Sequence, residues 1–176
     1  MTRGIRSAAV AVAIVALALP ASAQQHDHAG HSPYAGLQGR EIKALDSTAV
    51  RDYLAGAGMG FALAAELNGY PGPRHVLELA DQLQLTPEQK AATQRIFETM
   101  QKQAIELGTQ IVELERELDR RFAHRHIDVE TLADLTGRIA ALNGRLRAVH
   151  LGAHIELTAL LTQDQIAAYQ KLRGYH

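Results

Sequence analysis

The chain predicts an all-α fold, one long antiparallel helix hairpin with short flanking helices, on three observations. Its 176 residues are 47% hydrophobic but only 5% aromatic, and Ala and Leu abound, a balance that favours helices over a β-sandwich. No proline follows Pro87. Beyond that point two stretches carry an apolar repeat in steps of three and four residues, the period of a helix with one buried stripe.

The first stripe is Ile96, Met100, Ala104, Leu107, Ile111, Leu114 and Leu118; the second is Leu135, Ile139, Leu142, Leu146, Val149, Ala153 and Leu157. Folded back on itself, the chain pairs 118 with 135, 114 with 139 and so on to 96 with 157. One turn centred between His126 and Ile127 therefore aligns every layer. Facing positions of this kind form an antiparallel coiled-coil seam. Each arm of about 35 residues would reach roughly 50 Å.

Local signals set where the helices start. Thr86-Pro87-Glu88-Gln89 places a hydroxyl at the N-cap, proline at N1 and glutamine at N3, which is a capping box. Asp128 caps the second arm, which runs to Leu161. Thr162-Gln163-Asp164-Gln165 repeats the box and opens a last helix to Leu172. Each cap contributes about 1 kcal/mol, enough to fix a boundary rather than to hold a fold. Upstream, Asp46 or Ser47 caps a short helix through Leu54, and residues 61–67 and 74–83 form two more. Between them stand Gly56, Gly58 and Gly60, then the stop signal Asn68-Gly69-Tyr70-Pro71-Gly72-Pro73. The glycine trio is no phosphate loop, because no strand precedes it and no Lys-Ser/Thr follows.

Residues 1–23 read as a secretory leader: Arg3 and Arg6, an apolar run from Ala8 to Leu19, Pro20, then the small trio Ala21-Ser22-Ala23. The run is too short for a membrane span of about 20 residues. Cleavage leaves 153 residues, with 16 Lys+Arg against 19 Asp+Glu, a net charge of −3. That predicts a periplasmic chain with no nucleic-acid partner and no stable membrane insertion after cleavage. The absence of cysteine means that the fold must stand on packing without disulfides. Residues 24–39 read as a disordered, histidine-rich arm, and residues 40–176 as the helical domain. So thin a hairpin needs the short helices, the last helix or a second subunit to cover Ile105, Val112 and Phe122, and a homodimer is one of these three ways.

The pentads Leu85-Thr86-Pro87-Glu88-Gln89 and Leu161-Thr162-Gln163-Asp164-Gln165 are two copies of LTxxQ, one opening the hairpin and one closing it. In this the chain resembles the Spy/CpxP family of periplasmic stress proteins, over roughly residues 73–175. The matching positions are Leu85, Thr86, Gln89, Leu161, Thr162 and Gln165. The resemblance implies a bent helical hairpin, often a dimeric cradle, with ATP-independent chaperone activity or envelope-stress and metal sensing. It implies no catalytic residues and no required cofactor. The expected partners are then unfolded or stressed envelope proteins.

The alternative function is binding or sensing of a heavy metal (zinc, copper, nickel or cobalt). His150 and His154 stand four apart, which puts both imidazoles on one helix face. They flank the seam, because Val149 and Ala153 point into it. A related branch of nickel–cobalt sensors uses histidines and a glutamate from an N-terminal helix plus a hairpin histidine. This chain is similar in His150 and His154 and departs in lacking an N-terminal i, i+4 pair. Glu66 and His75 offer to complete a site with His150. His26, His28 and His31 form a loose metal-binding cluster on the arm. Arg120, Arg121, His124, Arg125 and His126 crowd the hairpin tip, a solvated bend or a basic patch for acidic client segments. No enzyme is expected: there is no nucleophile elbow and no HExxH, and Glu113, Glu115 and Glu117 fall between seam positions as ordinary solvation.

Overall fold

The structure, a computed structural model, describes residues 32–175. The leader and the arm histidines His26, His28 and His31 lie outside them. A compact body begins at Gly36, and its named elements are helical. After one 3-10 turn at Leu37–Gly39 come α1 (Ser47–Leu54), α2 (Leu63–Glu66), α3 (Pro73–Glu78), α4 (Pro87–Ala123), α5 (Val129–Thr158) and α6 (Gln163–Arg173). No helix among the described residues is long and apolar enough to cross a membrane.

The caps act as their sequences require. The Asp46 carboxylate accepts from Ala49 N–H and Asp128 from Thr131 N–H. Thr86 and Thr162 each form a complete capping box with Gln89 and Gln165. The early helices are shorter than the sequence suggests. Helix α2 starts late because Met59 and Gly60 both take left-handed backbone, φ 44° and 77°. Beyond Glu78 the chain continues as turns to Gln84, itself left-handed at φ 51°.

Helices α4 and α5 pack along each other through the two stripes. None of the fourteen stripe residues is exposed. Ala104, Leu107, Ile111, Leu142 and Leu146 form one buried cluster; Ile96, Ala153 and Leu157 join Val76, Leu83, Leu161 and Tyr169 in another. Leu114 and Leu118, nearer the turn, are only half-buried. At the turn Arg125 takes the left-handed position (φ 56°) and His126 N–H donates to Arg121 C=O, a Schellman closure.

The short elements do the covering that two helices cannot. Helix α1 lies on α4, with Tyr53 Oη donating to Asn143 Oδ1 on α5 at 3.0 Å. It approaches so closely because Gly108 has no side chain: a β-carbon there would collide with the Tyr53 carbonyl. Val112 is buried, whereas Ile105 and Phe122 remain 37% and 55% exposed. Glu115, expected to be solvated, is half-buried, and burial pushes its carboxyl above the usual range.

The two pentads meet. Gln89 Nε2 donates to Gln165 Oε1 and Gln165 Nε2 to Gln89 Oε1, both at 2.9 Å. Gln89 also donates to Leu160 C=O, just before the second pentad, and Gln165 to Leu83 C=O, just before the first. Each amide oxygen meanwhile caps its own helix by accepting from Thr86 or Thr162 N–H. Every donor and acceptor of both amides is thus engaged, in a reciprocal pattern that ties the start of α4 to the start of α6. The six motif residues belong to this clasp and the core beside it.

Candidate functional site

Where α2, α3, α5 and α6 converge, one carboxylate is taken out of water. Glu66 closes α2 and is 6% exposed. Its Oε1 accepts from Tyr169 Oη at 2.5 Å and Tyr175 Oη at 3.2 Å, with Arg173 Nε and His75 Nδ1 each 3.6 Å away. Tyr169 is fully buried on α6. Burial, and then its bond to Glu66, push the phenol far above its ordinary range, so it stays a donor. Glu66 Oε2, by contrast, is buried with no hydrogen-bond partner.

That orphaned oxygen faces His154. His154 Nδ1 lies 3.7 Å from Oε2 but 2.8 Å from the Tyr70 carbonyl. Donation to that carbonyl puts a proton on Nδ1, so Nε2 is the ring atom left to ligate. A β-carbon on Gly72 would stand 3.1 Å from Glu66 Oε2 and 3.2 Å from His154 Nε2. The absence of a side chain at Gly72 is what opens the space onto which both atoms look. This space belongs to a cleft of about 220 Å³, lined by Glu66, Gly72, His75 and His154 together with the 58–63 turn and Met100. A larger cleft, about 800 Å³, lies between residues 40–46 and α1 and holds no histidine.

The i, i+4 pair comes out differently from its sequence expectation. Both rings are buried, His150 at 3% and His154 at 7% exposure, because residues 61–73 fold over this face of α5. They do not share a partner. His150 stacks on Phe61, ring centroids 5.9 Å apart and nearly parallel, and its Nε2 is buried without a partner. Glu66 and His75 do come together, but with His154 rather than with His150. Among the described residues no three histidine, aspartate or glutamate side chains are placed to hold one ion between them. At the tip, Arg120 and Arg121 both bond Glu117 at 2.6 Å, which offsets part of the basic patch.

Burial, and then the neighbouring His154, hold the His150 imidazole below the ordinary histidine range. The unfolded chain thus binds this proton at a higher pH than the folded one. The stabilisation is full above about pH 6.5, the unfolded value, and is lost as pH falls through it toward the lower folded pKa. His150→Phe, which keeps a ring on Phe61, should flatten this slope in urea unfolding run with chelator from about pH 7.5 to 5. An unchanged slope would mean that His150 protonates freely in the folded protein.

Sequence reasoning missed Tyr169, Tyr175, Arg173, Gly72 and the Tyr70 carbonyl. The one available signal was that Tyr169 and Tyr175 are two of five tyrosines in the chain and both sit at its helical end. Compared with protein-family models, curated proteins and solved structures, the chain matches none.

Proposed function

We propose that this chain is a periplasmic, non-enzymatic accessory protein of Spy/CpxP type whose working site binds a transition-metal ion in the Glu66–His154 cleft. The observation that carries the reading is the orphaned Glu66 Oε2, which borders with His154 Nε2 the space left by the missing side chain of Gly72. A buried carboxylate oxygen without a partner is costly, and a cation is a partner that such an oxygen calls for. The bond from His154 Nδ1 to the Tyr70 carbonyl is how ligating imidazoles are held. Support for the family type comes from the two LTxxQ pentads, which act as one interlocked unit.

The test isolates the cleft from the arm. In protein carrying His26→Ala, His28→Ala and His31→Ala, zinc, copper, nickel and cobalt are titrated by calorimetry and thermal melting. At about 100 times its dissociation constant, one bound ion stabilises by about 2.7 kcal/mol, a rise of roughly 5–10 °C in midpoint. His154→Ala should abolish the rise. If the arm substitutions alone remove all binding, the arm is the only metal-active part and the cleft reading fails.

A second reading, ATP-independent chaperoning of unfolded envelope proteins, is favoured by apolar side chains left open at the hairpin tip. Phe122 and Val129 are 55% and 83% exposed beside Arg120 and Arg121. Stoichiometric protein, in chelator and without nucleotide, should then delay aggregation of several unrelated clients. Phe122→Ser with Val129→Ser should weaken that delay by at least about half. No delay for any client rejects the reading.

A further inference from the structure

We infer that the cleft is a site for a soft monovalent ion, copper(I), held by thioether sulfur as well as by the imidazole of His154. The inference rests on the metal-binding reading above and narrows it to one ion chemistry.

The chain has no cysteine and three methionines: Met1, Met59 and Met100. The last two come from different elements, the turn before α2 and the middle of α4, and both line this cleft with Glu66, His75 and His154. Both methionines among residues 32–175 therefore line the cleft that the orphaned carboxylate oxygen borders. For Met100 core packing is a sufficient account, because it lies half-buried against the cluster around Val76 and Leu157. Met59 has no such account. It is 38% exposed and holds a left-handed backbone at φ 44°, between Gly58 and Gly60. Glycine or asparagine suits that conformation, and a long side chain there usually signals a constraint from outside the turn. A methionine that neither fills the core nor eases its own turn, yet lines the cleft, is a candidate donor to an ion there.

The donor inventory points the same way. Zinc and its borderline neighbours take about three or four nitrogen, oxygen or thiolate donors. Here no three histidine or acidic side chains converge among the described residues. Copper(I) is satisfied by about two or three soft donors and favours thioether and imidazole over oxygen. His154 Nε2 with one or both sulfurs meets that need. Glu66 supplies the opposite charge nearby without having to ligate.

The experiment uses protein with the three arm histidines replaced by alanine, so that the arm does not compete. Anaerobic copper(I) is titrated against a chromogenic copper(I) chelator, and zinc is titrated separately. The expected result is one equivalent of copper(I), with affinity falling at least about tenfold in Met59→Leu/Met100→Leu while zinc affinity moves less than about twofold. Selenomethionine-labelled protein, which carries no substitution at the cleft, should show a selenium neighbour in copper-edge X-ray absorption. This second measurement holds even if the leucine variant folds poorly. Two results overturn the inference: unchanged affinity in a folded leucine variant, or copper bound with no selenium neighbour. In either case the broader metal reading survives if His154→Ala still removes an ion. If neither copper(I) nor any divalent ion binds, both readings fall.

Discussion

Gly108→Ala should destabilise the protein by about 3 kcal/mol, whereas the same exchange in an exposed helix interior should stabilise it. Alanine normally gains up to about 1 kcal/mol over glycine within a helix, because glycine loses more backbone entropy on folding. Gly108 sits midway along α4, buried, yet its missing β-carbon is where α1 makes contact. A β-carbon would stand 2.8 Å from the Tyr53 carbonyl carbon and closer still to its oxygen. Backbone cannot swing aside as the end of a lysine can. The clash therefore has to lift α1 off α4, breaking the Tyr53–Asn143 bond and uncovering Val112. Gly144 on α5 has nothing within 4 Å of its β-carbon position, so Gly144→Ala should add about 0.5–1 kcal/mol. Urea unfolding followed by circular dichroism reads both. If the two substitutions shift stability in the same direction, α1 is not seated on the hairpin as described.

What the sequence made legible was whatever depends on neighbours within one helical turn or on a sustained period. The caps at Asp46, Thr86, Asp128 and Thr162 are contests between a side chain and the three or four backbone N–H groups that follow. The seam was readable because two periodic stripes must share one turn to stay in register. The site was not readable in this way. Its residues, Glu66, Gly72, His75, His154, Tyr169 and Tyr175, lie on four helices and their connections. They meet only because residues 61–73 fold across α5. No local rule says that His150 will stack on Phe61 while His154 turns to the Tyr70 carbonyl. The spacing placed both rings on one face, but what covers that face decides their chemistry. The repeated pentads are an intermediate case. Each announces its own helix start, and only the tertiary fold turns their glutamines toward each other.

Leu146→Asp should unfold the protein outright, and the loss at successive seam layers should fall toward the turn. Leu146 is 1% exposed, in the cluster with Ala104, Leu107, Ile111 and Leu142. Its replacement forfeits a buried leucine, about 2–5 kcal/mol, and strands a carboxyl where no partner is at hand, several kcal/mol more. Together these match the 5–15 kcal/mol by which domains of this size are ordinarily stable. Leu118 belongs to the facing stripe by sequence but is half-buried, three layers nearer the turn. There an introduced carboxylate can tilt into water, so Leu118→Asp should cost about 1–2 kcal/mol. Glu113→Ala, on the exposed side of α4, should stay within about 0.5 kcal/mol. The physical reason for the gradient is cover. Tyr53 of α1 and Phe61 pack over the middle layers, and α3 and α6 over the base, whereas nearer the tip the cover is the short segment around Ile42, tied to α4 by Glu41–Arg116 and Lys43–Asp119. Circular dichroism of Leu146→Asp without denaturant and urea midpoints of the other two variants decide it. A Leu118→Asp loss as large as that of Leu146→Asp would describe a self-sufficient rod, and would remove the reason for the short helices to be where they are.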